Sequence, residues 1–364
     1  MKRVALLGAT GSIGTQALEV VGAHPELELC AVAVGSRADE ARRIASEHGV
    51  QHVSIGGDPP LDDLVRASKP DVVLNSVMGF AGLPATLEAL ERGIDLALAN
   101  KESLVAAGPL ALAAKERGGG RILPVDSEHS AAFQCLEGRA EETVHSLVLT
   151  ASGGPFRGRS RSELADVTPV EALAHPTWNM GPKITVDSAT LMNKGLELIE
   201  AHFLFDIEFE RIEVVIHPAS VVHALVCFRD GGSLAHMGYP DMRVPISYAL
   251  TYPERAATPV EPLDLASGLI LEFSAPDEDA FPCLALARAA GEEGGTAPCV
   301  LNAANEVAVA SFLDGQLSFL GIPDVVERTL STVETGPAET LAELVAVDAE
   351  ARRVASALTR ELVH

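Results

Sequence analysis

Aromatic residues make up only 4% of the 364-residue chain, with a single tryptophan, Trp178, so the stacked-aromatic surfaces that grip single-stranded RNA are not expected. Positive charge is scarce as well. Against 51 Asp and Glu stand 27 Lys and Arg, a net charge of -24. Such a chain repels nucleic acid and anionic membranes, and any anionic ligand must be held by a local positive site. The five cysteines, Cys30, Cys135, Cys227, Cys283 and Cys299, are odd in number, widely spaced and never in a C-x-x-C pair. That argues against a disulfide framework and against a thiolate zinc site. No apolar run reaches membrane-spanning length, and Met1 leads within three residues into Val4-Ala5-Leu6-Leu7 without the regions of a secretory leader. A cytoplasmic protein is expected.

What the chain does have is length and alternation. Val4 to Leu7, then Gly8-Ala9-Thr10-Gly11-Ser12-Ile13-Gly14, then an amphipathic stretch to Val21 reads as strand, glycine turn and helix. Strands at 28–34, 52–55, 71–75 and 95–99 alternate with helices near 38–48, 61–67 and 83–92. This predicts an α/β protein whose N-terminal domain, residues 1–120, is a Rossmann-like doubly wound parallel sheet. Residues 121–250 change pattern, with strands at 122–125, 146–150, 212–216, 221–228 and 233–237 and helices at 130–136 and 190–205, and predict a central α+β domain. Pro253, Pro259, Pro262, Pro276 and Pro282 mark 251–281 as a connecting arm. Helical periodicity over 284–290, 300–313, 322–332 and 341–363 predicts a C-terminal α-helical bundle, 282–364.

The glycine turn is a variant of the dinucleotide fingerprint, and pyrophosphate would rest on backbone N–H groups of Thr10, Gly11, Ser12 and Ile13. The second strand ends not in an acid but in Gly35-Ser36-Arg37, which suits a ribose 2′-phosphate and so favours NADPH over NADH. Asn100-Lys101-Glu102-Ser103 follows another strand, where ligands of such sheets gather, or is a solvated loop. In Val125-Asp126-Ser127-Glu128-His129, strand spacing turns Asp126 and Glu128 to one side. Paired carboxylates repel, and an oxygen-seeking Mg²⁺ or Mn²⁺ relieves this; Glu197 could supply a third ligand. Ser152-Gly153-Gly154 can curl into an anion nest or be a plain turn. His175 to Pro182, which holds Trp178, reads as a lid over a ligand or a packed irregular segment, with its bounding prolines favouring the lid. In Thr185 to Glu197, Asp187 and Ser188 read as N-cap residues that open a helix toward a phosphate, with Asn193 and Glu197 on one face beside Lys194. His217, His223 and His236 fall on strands, where a core or interface role is favoured.

Taken in order, these motifs, ending with Asn302-Ala303-Ala304-Asn305-Glu306, resemble the 1-deoxy-D-xylulose 5-phosphate reductoisomerase family over nearly the whole chain. The resemblance implies an enzyme of non-mevalonate isoprenoid synthesis that rearranges this phosphosugar and reduces it with NADPH to 2-C-methyl-D-erythritol 4-phosphate. It implies Asp126, Glu128 and Glu197 as ligands of Mg²⁺ or Mn²⁺, with Co²⁺ a third candidate. Ser152, Ser188, Asn193 and Lys194 would hold the phosphate, His175 would close over it, and Lys101 and Ser127 would contact the substrate's polar middle, beside Glu128. Thr10 to Ile13, Gly35 to Arg37, Asn100, Glu102 and Gly181 would line the cofactor, and the family implies a homodimer. The chain departs from the family at Ser36, which stands between Gly35 and Arg37 where a basic residue often follows the glycine directly. Another NADP-dependent dehydrogenase, such as a semialdehyde or homoserine dehydrogenase, would share the glycine turn but would not need three carboxylates. A non-catalytic NADP-sensing or scaffold protein would keep the first domain and could lose the Asp126, Glu128 and Glu197 set.

Overall fold

A computed structural model describes residues 1–178 and 180–362. Along the first part of the chain run β1 (Lys2–Leu7), α1 (Ser12–Ala23), β2 (Leu27–Val34), α2 (Ala38–His48), β3 (His52–Ile55), α3 (Leu61–Ser68), β4 (Val72–Asn75), α4 (Leu83–Glu91), β5 (Asp95–Leu98), α5 (Lys101–Gly118), β6 (Ile122–Pro124) and α6 (Ser127–Leu136). Then follow β7 (Val144–Ala151), α7 (Pro169–Ala172), α8 (Pro182–Ala189), α9 (Met192–Phe205), β8 (Ile212–Ile216), β9 (Val222–Phe228) and β10 (Ser233–Met237). The last elements are α10 (Arg243–Thr251), α11 (Cys283–Glu293), α12 (Ala297–Leu313), α13 (Gly321–Thr332) and α14 (Leu341–Leu362). They fall into two compact units. The first holds Met1–Leu104, Gly108–Gln134 and Asp241–Leu263; the second holds the rest of the described chain.

The first unit is built on a six-stranded parallel sheet ordered β3-β2-β1-β4-β5-β6, the doubly wound arrangement in which strand order reverses between β1 and β4. Val4, Leu6, Val32, Leu74 and Ala97 are almost wholly buried, as expected of strands covered on both faces. Two boundaries differ from those expected at 120 and 250. β6 pairs with β5 as the sixth strand of this sheet, because Ile122, Leu123 and Pro124 are all buried. Helix α10 joins the same core through Ile246, Ala249 and Leu250, alongside Ala17 and Val20 of α1. Helix α5 runs on through Gly108 and Pro109 with a kink at Ala107, φ -139° and ψ 28°, where proline withdraws a backbone donor.

The second unit carries a four-stranded sheet ordered β10-β9-β7-β8, with β7 and β8 parallel and the other pairs antiparallel. Helix α9 packs on β7 and β8 and against α11. The approach to α11 is close because Gly195 has no side chain: a Cβ there would lie 2.4 Å from that of Ala287. Helices α11 to α14 do form a bundle, with α12 against α13 and α14, but they belong to the same unit as the sheet instead of standing apart. His223 and His236 lie on β9 and β10, and His217 follows β8, fully buried and stacked on Phe273. Among the described residues no helix is long and apolar enough to cross a membrane.

Candidate active site

The glycine turn sits where doubly wound sheets bind ligands, at the carboxyl end of β1 beside β4. Gly8 has φ 89°, and a Cβ there would lie 2.7 Å from the Ser76 carbonyl oxygen. At Gly14 a Cβ would come within 2.2 Å of the Gly8 oxygen, so only glycine lets α1 start this close to the strand. Gly11 precedes α1 with no side-chain cap, and no acid occupies the first turn. By contrast, α2 and α3 each carry two acids there. The α1 N-terminus therefore keeps its positive end for an anion. Arg37 is exposed, and its Nη1 donates to the Thr10 carbonyl at 3.0 Å, which places the guanidinium beside the turn although Ser36 intervenes after Gly35.

Asn100 is buried and donates from Nδ2 to the carbonyls of Val77 and Gly79, at 2.6 and 2.9 Å, and to Glu102 at 3.1 Å. With Asn75, Thr86 and Ser103 it forms a network that ties β4 to the start of α5. Asn75 and Thr86 carry no signal in the sequence, because buried amides and hydroxyls leave no periodic pattern. Lys101, expected on a loop, opens α5 almost buried, and its Nζ lies 2.8 Å from Asp126 Oδ2. Asp126 and Glu128 do not alternate on a strand: β6 ends at Pro124 and α6 begins at Ser127. Asp126 instead accepts the Glu128 N–H on Oδ1 at 3.2 Å and the Ser130 N–H on its carbonyl at 2.8 Å. The helix start still brings their carboxylate oxygens within 4.8 Å of one another. The Ser127 hydroxyl donates to Glu128 at 2.6 Å, and buried His129 lies 3.1 Å from Asp126. This hard-oxygen donor pair suits Mg²⁺ or Mn²⁺, and the Lys101 ammonium beside it balances part of its negative charge.

In the second unit the chain turns after β7 through Gly153 and Gly154, at φ 84° and 67°. The Ser152 hydroxyl accepts the Gly154 N–H at 3.2 Å and pairs with His175 Nε2 at 3.0 Å. His175 Nδ1 accepts backbone N–H groups from Thr177 and Trp178, so the proton belongs on Nε2 and the hydroxyl receives it. Burial holds this imidazole below its ordinary value of 6.5, which keeps it neutral. A Cβ on Gly154 would lie 2.8 Å from the Ser188 carbonyl oxygen, so the turn packs directly on Ser188. Trp178 is half-buried with its ring 6.4 Å from that of His223; Asn179, in the same expected lid, lies outside the described residues.

Asp187 and Ser188 are not N-caps. They end α8, and the next helix starts only at Met192, after Leu191 in a left-handed conformation at φ 62°. Asn193 and Lys194 therefore supply the first turn of α9, and both side chains bind Glu197, itself almost fully buried. Gly181 caps α8, its carbonyl accepting the Thr185 N–H and hydroxyl. Ser152, His175 and Ser188 thus meet around one turn, and Asn193, Lys194 and Glu197 around the next.

Models of known families cover the chain in pieces. "1-deoxy-D-xylulose 5-phosphate reductoisomerase" matches residues 4–59 and 54–108, its C-terminal domain 122–205, and "DXP reductoisomerase C-terminal domain" 237–354. The chain is 49% identical to the 1-deoxy-D-xylulose 5-phosphate reductoisomerase of Xanthomonas campestris pv. campestris (strain B100), covering 100% of this chain and 98% of that one. It is likewise 49% identical to that of Geobacillus kaustophilus (strain HTA426), over 97% and 98%. Among solved structures it is similar to a DOX-P reductoisomerase in complex with NADPH, fosmidomycin and magnesium, at TM-score 0.93 and 39% identity over 100% and 99% of the two chains. The Zymomonas mobilis reductoisomerase in complex with NADPH gives TM-score 0.90 and 40% identity over 99% and 100%.

Proposed function

The chain belongs to the 1-deoxy-D-xylulose 5-phosphate reductoisomerase family, and from that premise we propose how its residues divide the family's reaction. It is an NADPH- and divalent-metal-dependent oxidoreductase that rearranges and reduces 1-deoxy-D-xylulose 5-phosphate to 2-C-methyl-D-erythritol 4-phosphate. When bound, the cation supplies Lewis-acid polarisation of the substrate's carbonyl and neighbouring hydroxyl, and NADPH supplies the hydride.

Asp126, Glu128 and Glu197 are the proposed ligands of Mg²⁺, with Mn²⁺ as an alternative occupant. The observation that carries this is the Asp126 and Glu128 pair, whose carboxylate oxygens lie within 4.8 Å of one another. Ser127 fixes the rotamer of Glu128 through its hydroxyl, and Lys101 is placed to donate to a substrate oxygen while it neutralises Asp126. Ser152, Ser188, Asn193 and Lys194 take the phosphate, whose binding energy positions the reacting carbons. Neutral His175, donating from Nε2, closes that end, and His175 to Gly181 excludes water as a lid. Thr10 to Ile13 take the pyrophosphate on backbone N–H groups, Gly35 to Arg37 the 2′-phosphate, and Glu102 and Gly181 face the cofactor. Asn100 acts by holding the carbonyls of Val77 and Gly79 in place.

Residues 1–120 are proposed as the core of the NADPH-binding part, with 121–250 supplying catalysis and dimerisation. A homodimer is supported by β10, an exposed edge strand, and by the exposed apolar Leu265, Ile270, Leu271 and Phe273 of the arm. Work in the cytoplasm agrees with five free cysteines. Asp126→Asn, Glu128→Gln and Glu197→Gln should each cut turnover by about 10²-fold or more and weaken Mg²⁺ binding by calorimetry while NADPH binding holds. Full activity of Glu197→Gln at limiting Mg²⁺ would remove that residue from the metal site.

A further inference from the structure

We propose that Asn305 and Asp187 are positioning residues for the substrate's phosphate, acting through the turn that carries Ser188, Asn193 and Lys194; this rests on the phosphate reading above. Asn305 lies fully buried within α12, where an apolar residue would be the stable choice, because asparagine forms helix poorly and its amide must be paired. Its Nδ2 donates to Asp187 Oδ1 at 2.8 Å. Its Oδ1 has no hydrogen-bond partner among the described residues. A buried amide is tolerated in a helix for the pairing it makes, and here that pairing is the bond to Asp187.

That bond is the first of a relay. Asp187 is 1% exposed, and its other carboxylate oxygen meets Lys183 Nζ at 2.9 Å, so two donors clamp the end of α8. The Asp187 carbonyl accepts the Thr190 hydroxyl at 3.2 Å, and Thr190 Oγ1 accepts the Met192 N–H at 3.3 Å. The relay thus spans Leu191, a buried leucine at φ 62°, a conformation that persists only where surrounding bonds impose it. Two and three residues after Leu191 stand Asn193 and Lys194, and next to Asp187 stands Ser188. The amide of Asn305 therefore sets where the phosphate ligands point without touching the phosphate.

The readout is phosphate discrimination: kcat/KM for 1-deoxy-D-xylulose 5-phosphate divided by that for unphosphorylated 1-deoxy-D-xylulose. Asn305→Ala and Thr190→Val, the latter removing only the hydroxyl link, should each lower this ratio by about tenfold or more, mainly through KM, with NADPH affinity unchanged. Asn305→Asp sets two carboxylates face to face and should lose more, and the exchange Asp187→Asn with Asn305→Asp should recover most of the loss. A merely structural asparagine predicts a lower melting temperature with both substrates affected equally, and an unchanged ratio in Thr190→Val and Asn305→Ala overturns the proposal. Lys194→Ala separates the two readings. If discrimination survives that change, the phosphate site itself is wrong; if it collapses there but not in Thr190→Val and Asn305→Ala, only the relay is wrong.

Discussion

Replacing Gly14 with alanine should destabilise the protein and weaken NADPH binding, against the usual sign of such a change. In an ordinary helix interior the exchange is favourable by up to about 1 kcal/mol, because alanine is the better helix former. Here the new Cβ would lie 2.2 Å from the Gly8 oxygen and 2.6 Å from Ala9 Cα. Gly8 cannot yield, since its N–H is bonded to the Ala33 carbonyl and its free side faces Ser76. Helix α1 must therefore lift by about 1 Å against its own buried Ala17, Val20 and Val21, an overpacking that costs about 1–3 kcal/mol. The net result is a melting temperature lower by about 1–3 °C and, because the helix start moves away from the pyrophosphate, NADPH affinity lower by about tenfold. Gly22 supplies the control in the same helix, as nothing lies within 4 Å of its added Cβ; Gly22→Ala should leave both quantities unchanged or slightly improved. Thermal melts and NADPH fluorescence titration read both. If Gly14→Ala behaves like Gly22→Ala, the close approach at the turn does not build the cofactor site.

Arg37→Ala should raise the KM for NADPH far more than that for NADH, since only the former has a phosphate for the guanidinium to meet; equal rises would make Arg37 a structural clasp on Thr10. His175 gives a pH dependence. Its value is lowered by burial, so the unfolded chain takes up a proton first, and the contribution of the neutral ring is complete above about pH 6.5 and lost as pH falls below it. Proteolysis near Thr177 and Trp178 should accordingly increase on acidification, and protection that grows instead would refute the assigned tautomer. Trp178, the only indole, should change fluorescence when NADPH, Mg²⁺ and fosmidomycin are added together, whereas indifference would make the segment a packed turn and not a lid.

What could be read without coordinates followed from periodicity and glycine. The alternation of apolar runs with amphipathic stretches is a direct imprint of a parallel sheet, and it located β3 and α2 to the residue; the apolar runs of the second, mixed sheet did the same for β8 and β10. The three glycines at 8, 11 and 14 mark a steric demand that the structure makes explicit at Gly8 and Gly14. Capping was harder. Asp187 and Ser188 have the composition of N-caps, but they end α8, because Pro182 starts a helix earlier and Leu191 breaks it in a conformation no propensity assigns to leucine. The same ambiguity misplaced Asp126 and Glu128, whose two-residue spacing fits a strand and a helix start equally well.

The compact units do not divide where the sequence pattern changes, for a related reason. Composition shows where a pattern changes, not which core an element completes. Leu123 and Ile246 are far apart in sequence, yet both fill the core of the first unit. Residues whose role is to hold other residues leave the faintest trace of all, since a buried Asn75 or Asn305 is one polar letter in an apolar run. Their function lies in a partner many positions away, as with Asp187 for Asn305, and such a pairing becomes legible only once the chain has folded. For this reason the ligating carboxylates and glycines of an enzyme can be named from its sequence, while the amides and hydroxyls that aim them have to be found in three dimensions.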